Sequence, residues 1–278
     1  MKLEIKYIGS GGEINLSQTP VFYAETDFFR RQHNYSLTPL ISGRGSKKGR
    51  FYRDATEYTL NLNVVGKTEE HAHELINEMD DLFERDVYAE TPGRLYVNDY
   101  YVNCYIVSSE STDRIHVGNM FFVTLKILVE QPQWTSEELL YYETFTVEAS
   151  SGFILPTAIP FGFTANPGIR QLMIDHYASV PAEISFFGPA VNPSFSIGSH
   201  IYQVNGTLLA GERFVINQLD KTVVKVTNSG EVINAFNLRS KTYSVFEPIP
   251  AGGNVLTYSG EFAISLILFY ERGEPRWS

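Results

Sequence analysis

Residues 68–84 read Thr-Glu-Glu-His-Ala-His-Glu-Leu-Ile-Asn-Glu-Met-Asp-Asp-Leu-Phe-Glu, and this stretch decides the fold. Thr68 is a good N-cap residue, and Glu69 and Glu70 occupy the first turn, where negative charge stabilises a helix. The apolar residues recur at helical spacing on one face, and they are Ala72, Leu75, Ile76, Met79, Leu82 and Phe83. The sequence therefore predicts one amphipathic helix at about 69–84, with a solvated acidic face opposite its apolar face.

Strand patterns flank this helix on both sides. Before it, residues 58–64 alternate apolar and polar side chains, as a half-buried strand does. After it, three apolar runs predict an antiparallel meander with turns at Asn98-Asp99 and at 110–113. The three runs are Arg94–Val97, Tyr100–Val107 and Ile115–Val129. The meander ends at Gln131-Pro132-Gln133-Trp134, so we expect residues 1–134 to form a β-sandwich or open sheet with one helix.

From residue 169 onwards, strand patterns recur about every ten residues and no helical pattern interrupts them. The predicted strands are Gln171–Tyr177, Glu183–Phe187, Ser194–Ile197, His200–Val204, Arg213–Asn217, Thr222–Val226, Val232–Ala235, Tyr243–Phe246, Val255–Tyr258 and Phe262–Tyr270. Asn205-Gly206 favours a tight hairpin, because both residues tolerate a positive φ. Residues 169–278 are therefore expected to form an antiparallel β-sandwich of the jelly-roll type.

The stretch 135–168 between these two domains predicts a connector. It carries Pro156, Pro160 and Pro167, and proline interrupts regular structure.

Composition favours strands and disfavours several classes of function. Aromatic residues make up 14% of the 278 residues, and bulky side chains fit a pleated, half-buried surface. An acidic protein of net charge −10 without a basic face is a poor candidate for binding the phosphates of DNA, and weak or transient contact with DNA stays open. No run approaches the roughly 18 apolar residues of a membrane span, so we expect no membrane insertion. The alternating start at residues 1–7 predicts a strand and not a signal peptide.

A basic segment at residues 41–50 contains three glycines and four cationic residues. Such a composition cannot pack a core, so it predicts a mobile loop or the tip of an arm. In an acidic protein, Arg44, Lys47, Lys48 and Arg50 are candidate contacts with a neighbouring subunit or another partner. The alternative is a solvated loop that has no partner.

Catalytic and metal chemistry is not predicted at any motif. Cys104 lies in an apolar strand, which favours a buried and inert thiol. His71 and His73 are two residues apart on a helix and point to different faces, whereas a two-ligand helical site needs i and i+4. Glu137 and Glu138 do not face each other across the roughly 5–9 Å that a glycosidase pair requires. We therefore expect no catalytic residues, no metal and no cofactor, and a sandwich-fold hydrolase is the least favoured alternative.

The order of these motifs resembles the distal tail protein (Dit) family of long-tailed bacteriophages. In the first domain the resemblance lies in Gly43-Arg44-Gly45, the strand at 58–64, the helix at 69–84, the run Gly93-Arg94-Leu95-Tyr96-Val97-Asn98-Asp99, and the long strand into Gln131-Pro132-Gln133-Trp134. In the second domain it lies in Gly211-Glu212-Arg213-Phe214-Val215-Ile216-Asn217, Lys221-Thr222-Val223, the turn at Gly230, Phe246 and Pro250-Ala251-Gly252-Gly253-Asn254. Family members often carry an acidic residue before the proline that closes the first domain, where this chain has Gln131.

This resemblance implies a homohexameric ring at the tail tip of a virion. The first domain would close the ring between the tail tube protein and the tail-associated hub protein. The second domain, a galectin-like β-sandwich, would project outwards and hold receptor-binding or baseplate proteins. DNA would pass through the ring without specific binding, and assembly would take place in the cytoplasm of the bacterial host.

The alternative from a different functional class is a carbohydrate-binding module that contributes to host recognition. It rests on the predicted sandwich and on tyrosines that could stack on sugars, namely Tyr100, Tyr101, Tyr141 and Tyr142. Packing in a core or an interface is the favoured role of these tyrosines.

Overall fold

The computed structural model describes residues 3–117, 119–145 and 168–276, and the predicted mainly β fold with one α-helix is confirmed. The chain divides into two compact units, Met1–Ser136 with Glu271–Ser278, and Glu137–Tyr270. Most of the predicted connector at 135–168 lies outside the described residues.

The first unit contains two antiparallel sheets that share one long strand. Its elements are β1 (Ile5–Gly9), β2 (Gly12–Asn15), β3 (Ser17–Gln18), β4 (Val21–Thr26), β5 (Asn34–Pro39), β6 (Ser46–Tyr52), β7 (Thr56–Val65), α1 (Glu69–Tyr88), β8 (Gly93–Val97), β9 (Tyr100–Val117), β10 (Met120–Val129) and the start of β11 (Trp134–Tyr142). One sheet has the order β2-β1-β8-β9 and the other has the order β9-β10-β7-β4-β3. The strands β5 and β6 pair with each other and form a separate two-stranded ribbon.

The core of this unit lies between the sheets and the apolar face of α1. The helix begins as predicted, because the Thr68 side chain accepts a hydrogen bond from the His71 amide at 3.2 Å. The helix buries Ala72, Ile76, Met79, Phe83 and Asp86. Trp134 is fully buried, with its ring 5.6 Å from that of Phe28 and 6.1 Å from that of Tyr58. The Gln131–Trp134 motif therefore closes the core of the first unit.

The helix runs to Tyr88, about one turn beyond the predicted end, because Asp86 has buried partners. Its carboxylate accepts hydrogen bonds from the Tyr7 hydroxyl at 2.5 Å, the Ser10 hydroxyl at 2.6 Å and the Ser10 amide at 2.8 Å. A side chain at Gly9 would collide with this carboxylate, so the close approach requires glycine. Burial, followed by the hydrogen bond to Asp86, raises the pKa of Tyr7. A buried carboxylate needs such partners, and it attaches the end of α1 to the β1–β2 hairpin.

The predicted turn at 110–113 is wrong. These residues continue β9, which extends from Tyr100 to Val117, and Glu110 pairs with Thr124 and Ser111 with Val123 of β10. The register of this pairing shifts between Thr112 and Val117. The next strand consequently starts at Met120 and not at Ile115. Pairing with an apolar neighbouring strand outweighs the local preference of a polar run for a turn.

The second unit is a sandwich of two main antiparallel sheets. Its strands are the rest of β11, β12 (Ile169–Ile174), β13 (Ala182–Phe187), β14 (Ala190–Val191), β15 (Ser194–Ile197), β16 (His200–Gln203), β17 (Thr207–Leu208), β18 (Arg213–Asn217), β19 (Thr222–Val226), β20 (Val232–Asn234), β21 (Gly252–Tyr258) and β22 (Ile264–Arg272). One sheet contains β20-β19-β18-β13-β22 and the other has the order β12-β21-β15-β16. Both sheets turn apolar side chains such as Phe186, Phe214, Phe195 and Leu256 into one core, so the sandwich prediction is confirmed.

The predicted hairpin at Asn205-Gly206 is wrong. The strand before it, β16, pairs with β15, and the strand after it, β17, pairs with β14. Gly206 instead donates its amide hydrogen to the Asn192 side chain at 2.8 Å. The dipeptide thus connects two different sheets, which local turn preference alone cannot reveal.

The predicted strand at 243–246 is also absent, and a buried glutamine holds this segment in place. The Gln218 amide donates to the Val245 carbonyl at 3.1 Å and to the Glu247 carbonyl at 2.9 Å, and its oxygen accepts from the Ala182 amide at 2.8 Å. A single 3₁₀ turn, Phe236–Leu238, precedes this segment. Side-chain hydrogen bonds therefore replace a strand ladder here.

Replacing Asp86 by alanine is expected to lower the free energy of unfolding by about 2–4 kcal/mol, because the Tyr7 hydroxyl loses a charged partner inside the core. Urea denaturation followed by tryptophan fluorescence, to which buried Trp134 contributes, measures this change. Asp81→Ala is the matched control, since Asp81 is an exposed carboxylate on the same helix and should change stability by less than about 0.5 kcal/mol. Equal effects of the two substitutions would contradict the role of Asp86.

A fragment of residues 137–278 is expected to fold with a higher melting temperature than a fragment of residues 165–278. Leu140, Tyr142 and Phe145 pack against the core of the second unit, and the Tyr258 hydroxyl donates to the Glu143 carbonyl at 2.7 Å. Thermal unfolding of both fragments by circular dichroism checks this expectation. Equal melting temperatures would show that residues 137–145 do not stabilise the sandwich.

Candidate functional site

The exposed ribbon of β5 and β6, hereafter the arm, contains the basic segment predicted as a contact site. Antiparallel pairing joins Asn34 to Tyr52, Tyr35 to Phe51, and Leu37 to Lys48. The tip is a tight turn in which the Leu40 amide donates to the Gly45 carbonyl at 3.0 Å. Gly43 and Gly45 have φ values of 66° and 87°, which favour glycine. Of the two structures predicted for this segment, the tip of an arm is the one observed, and residues 46–50 are strand and not loop.

The arm displays large apolar side chains to solvent. Tyr35 is 58% exposed and Leu37 is 56% exposed, and Ile41 at the tip is fully exposed. Phe51 and Tyr52 on the second strand are exposed as well. A cluster of exposed aromatic and aliphatic residues on one ribbon is typical of an interaction surface.

The four predicted contact cations all lie on this arm. Arg44 belongs to the tip, and Lys47, Lys48 and Arg50 belong to β6. Lys47 and Lys48 point to opposite faces, because successive side chains alternate along a strand. The Lys48 ammonium lies 4.5 Å from the centre of the Phe51 ring. No ion pair forms between any of these four side chains and another described residue. The cations are therefore spread around the arm and are not gathered on one face.

The root of the arm is polar and rigidly bonded. The Asn34 side-chain amide donates to the Asp54 carboxylate at 2.6 Å, and the Arg53 guanidinium donates to the Pro132 carbonyl at 3.0 Å. Desolvation, followed by the charges of Arg53 and Arg31, lowers the pKa of His33. A cavity of 560 Å³ opens at this root, with Arg30, Arg53, Asp54 and Glu57 among its lining residues. Both signs of charge are present in this cavity, so it does not select a charged ligand.

A second concave surface lies on the sandwich of the second unit. Its volume is 620 Å³, and it combines polar and aromatic side chains. They include Asn192, Ser194, Ser196, Ser259, Phe145 and Tyr258. Glu261 adds one carboxylate to the lining. Hydroxyl, amide and carboxylate groups beside aromatic rings are the chemistry of a hydroxyl-rich ligand.

Several of the side chains considered above for catalysis or metal binding are buried, hydrogen-bonded or in contact with a ring. Cys104 is buried, and burial raises the pKa of its thiol to about 12. His71 accepts a hydrogen bond from the Lys67 amide at 3.2 Å, and the His73 ring lies 4.9 Å from that of Phe121. Glu138 accepts a hydrogen bond from the Tyr270 hydroxyl at 2.6 Å. Among the residues that the structure describes, no group of three or more His, Cys, Asp and Glu side chains forms a metal site.

Of the four tyrosines predicted as alternative sugar-stacking residues, Tyr100 and Tyr101 belong to the first unit, and Tyr141 and Tyr142 belong to the second. Tyr101 is buried, with its ring 5.4 Å from that of Tyr96 and 4.6 Å from the Arg94 guanidinium. Tyr142 packs at 6.1 Å from Tyr258, and exposed Tyr141 lies 6.0 Å from Phe187. Packing is thus the role of Tyr100, Tyr101 and Tyr142, whereas Tyr141 is 55% exposed.

The apolar side chains of the arm are the part of the site that sequence reasoning missed. The alternation of Tyr35 and Leu37 with Ser36 and Thr38 is a strand pattern that could have been read. The exposure of these side chains could not be predicted from the sequence, since alternation normally indicates a strand with one buried face. No α-helix in the described ranges is long and apolar enough to cross a membrane.

Comparisons with known proteins identify the fold. No family model matches the sequence, and no curated protein matches it. Solved structures do match over nearly the whole chain, and they include three chains from phages. The crystal structure of the SPP1 Dit protein, described as a paradigm of the hub adsorption apparatus in phages that infect Gram-positive bacteria, matches with a TM-score of 0.63 and 13% identity, covering 98% of this chain and 100% of that chain.

Two further matches are chains of the phage P2 baseplate in its activated conformation. The structure with Ca matches with a TM-score of 0.64 and 9% identity, and the match covers 99% of this chain and 100% of that chain. The structure with Sr matches with a TM-score of 0.64 and 10% identity, and the match covers 98% of this chain and 99% of that chain. The chain therefore has a Dit-like fold, and the resemblance in the order of its motifs is confirmed at the level of fold.

Replacing residues 35–51 by a short Gly-Ser turn should leave the free protein folded, with a change in unfolding free energy below about 1 kcal/mol. The arm is exposed, and its first and last pairs lie side by side, so a short turn can join Asn34 to Tyr52. Urea denaturation measures the change, with Phe28→Ala in the same unit as a positive control that costs about 3–5 kcal/mol. A large loss of stability in the arm variant would show that the arm supports the fold.

Proposed function

We propose that this protein is a structural component of a phage tail tip or baseplate. It assembles as a homohexameric ring, built mainly by residues 1–134, which joins the tail tube protein to the hub protein. The observation that carries this proposal is the likeness of nearly the whole chain to the SPP1 Dit protein and to phage P2 baseplate chains. The ring would lie in the virion at the tail tip after assembly in the host cytoplasm, and DNA would pass through it without specific binding.

The arm supports an assembly role for the first unit. A two-stranded ribbon is marginally stable in water, because it has no hydrophobic core of its own. Here it carries exposed Tyr35, Leu37 and Phe51 together with four cations, on a protein of net charge −10. Insertion of the arm between acidic, partly apolar surfaces of a neighbouring subunit would bury the rings and pair the cations on both faces of the ribbon. A head-to-tail contact of this kind closes into a ring when its rotation permits.

Replacing Arg44, Lys47, Lys48 and Arg50 by serine is expected to weaken assembly by roughly tenfold or more. An exposed ion pair contributes about 0.2–1 kcal/mol, and four such pairs add up. Mass photometry with the tail tube and hub proteins present, at low and high salt, measures the effect. The loss should be greatest at low salt, because salt screens the pairs in the unsubstituted protein.

The matched control keeps the charge at all four positions, as Arg44→Lys, Lys47→Arg, Lys48→Arg and Arg50→Lys. This variant should assemble like the unsubstituted protein. Undiminished assembly of the serine variant at low salt would show that the four cations do not contribute to the interface. Monomers alone at every concentration, with both partner proteins present, would overturn the ring itself.

The second unit is proposed to act as an outward attachment platform for receptor-binding or baseplate proteins, with no catalytic role. Its buried polar groups support this role, because they serve the fold: Gln218 bonds backbone groups, and Glu212 accepts from the Leu209 amide at 2.7 Å and pairs with Lys225 at 2.7 Å. Hydrolysis of a host-wall glycan by the purified protein, abolished by a single Asp or Glu substitution, would contradict a purely structural role.

Glycan binding is the second candidate function, and the 620 Å³ cavity of the second unit favours it. Ser194, Ser196 and Ser259 line this cavity beside the rings of Phe145 and Tyr258. Nuclear magnetic resonance titration with purified host-wall polysaccharide tests it. Saturable shifts at these serines would support glycan binding, and an unchanged spectrum at millimolar sugar would reject it.

A further inference from the structure

The outer edge of β20 is an open strand edge in the second unit. β20 is the last strand of its sheet, and β19 is its partner among the described residues. All three of its residues are exposed, and Val232 is 64% exposed. A strand edge of this kind presents unpaired backbone groups to any chain that can align with it.

The direction of the backbone groups follows from the hydrogen bonds at both ends of the β19–β20 pair. The Thr227 amide donates to the Glu231 carbonyl at 3.0 Å, and the Ala235 amide donates to the Val223 carbonyl at 2.9 Å. Bonded and non-bonded pairs alternate along an antiparallel ladder. Ile233 therefore bonds towards β19, whereas Val232 and Asn234 direct their N–H and C=O groups outwards. The edge offers two donors and two acceptors at the spacing of a further strand.

Side chains beside this edge extend the surface in an ordered way. The Asn234 side chain accepts from the Phe236 amide at 2.9 Å, which fixes the chain as it leaves the strand. The rings of Phe236 and Phe246 stack at 5.9 Å, with the Arg239 guanidinium 3.7 Å from the centre of the Phe236 ring. The Lys221 ammonium lies 5.6 Å from the centre of the Phe246 ring. Arg239 also donates to the Phe236 carbonyl at 2.6 Å, and Lys221 donates to the Phe246 carbonyl at 3.3 Å. These contacts hold half-buried Arg239 and exposed Lys221 on the loops next to β20.

The charge distribution indicates what the edge would bind. Residues 137–270 contain six Lys and Arg against eleven Asp and Glu, yet residues 212–241 contain five of those six cations and three of the acids, of which Glu212 pairs with Lys225 at 2.7 Å. The cations of an acidic unit are thus concentrated on the strands and loops that end at β20. This local positive charge favours an acidic chain and disfavours the basic arm of a second copy.

We propose that the outer edge of β20 binds an extended, acidic peptide segment of another protein, which joins the sheet as an additional strand. Backbone bonds to Val232 and Asn234 set the alignment, exposed Val232 contacts alternate apolar side chains, and Arg239 and Lys221 attract the carboxylates. The proposal deepens the attachment role of the second unit and rests on it. It does not depend on the ring, so the two can fail separately.

The test uses the full-length protein and two capped synthetic peptides, Glu-Val-Glu-Val-Glu-Val-Glu and its lysine counterpart Lys-Val-Lys-Val-Lys-Val-Lys. Backbone amide signals are followed by nuclear magnetic resonance during titration. The acidic peptide should shift Val232 and Asn234 most and Ile233 less, since the Ile233 N–H is already bonded to β19. The lysine peptide should bind with an affinity at least roughly tenfold lower, and added salt should weaken the binding of the acidic peptide.

Val232→Pro removes one outward N–H without removing a bond to β19, and proline is tolerated at such edge positions. This variant should bind the acidic peptide with roughly tenfold lower affinity. The matched Val232→Thr variant keeps the N–H and should bind the peptide as the unsubstituted protein does. Equal binding of the two peptides to the unsubstituted protein would overturn the proposal, whatever the fate of the proline variant. Concentration-dependent dimers that Val232→Pro abolishes would also overturn it, because the edge would then pair with a second copy.

Discussion

The buried carboxylate of Asp86 is the interaction on which the first unit depends. It accepts three hydrogen bonds from Tyr7 and Ser10, and so joins the last turn of α1 to the first hairpin. That hairpin pairs with β8, and β8 pairs with β9, the strand that both sheets share. The helix is consequently held where its apolar face covers the core. Because these strands and the helix close the core without β5 and β6, the arm is left as a ribbon with no interior of its own.

Where a pattern is local, the sequence predicts the structure well. The helix start at Glu69 follows from its cap, and the two-residue turn at Asn98-Asp99 forms as expected, with Asn98 at a φ of 54°. Where the outcome depends on a distant partner, the prediction fails. The polar run at 110–113 has the composition of a turn, yet β10 pairs with it. The helix end is a related case, since the buried partners of Asp86 lie about 76 residues earlier in the chain.

The candidate site shows the same division between local and distant causes. Glycine and cation content identified the tip of the arm, because such residues cannot fill a core. The exposed rings of Tyr35 and Phe51 were not foreseen, since the alternation of a strand does not state whether either face is covered. The open edge of β20 was beyond reach for a stronger reason. A strand is an edge only by its place in the sheet, and that place follows from the order β20-β19-β18-β13-β22.

The arm and the β20 edge share a physical character that suits contact with another protein chain. Each is a narrow piece of sheet that ends without a covering layer, and each carries cations on a chain whose net charge is −10. Elsewhere, the carboxylate of Asp86 and the side chain of Gln218 are buried and committed to hydrogen bonds within their own units. Catalysis requires polar groups held ready for a substrate, whereas assembly requires apolar and charged groups at an accessible edge. The buried carboxylate and amide stabilise the fold, whereas the outward backbone groups of Val232 and Asn234 lie along a strand edge, where another protein chain could add a strand.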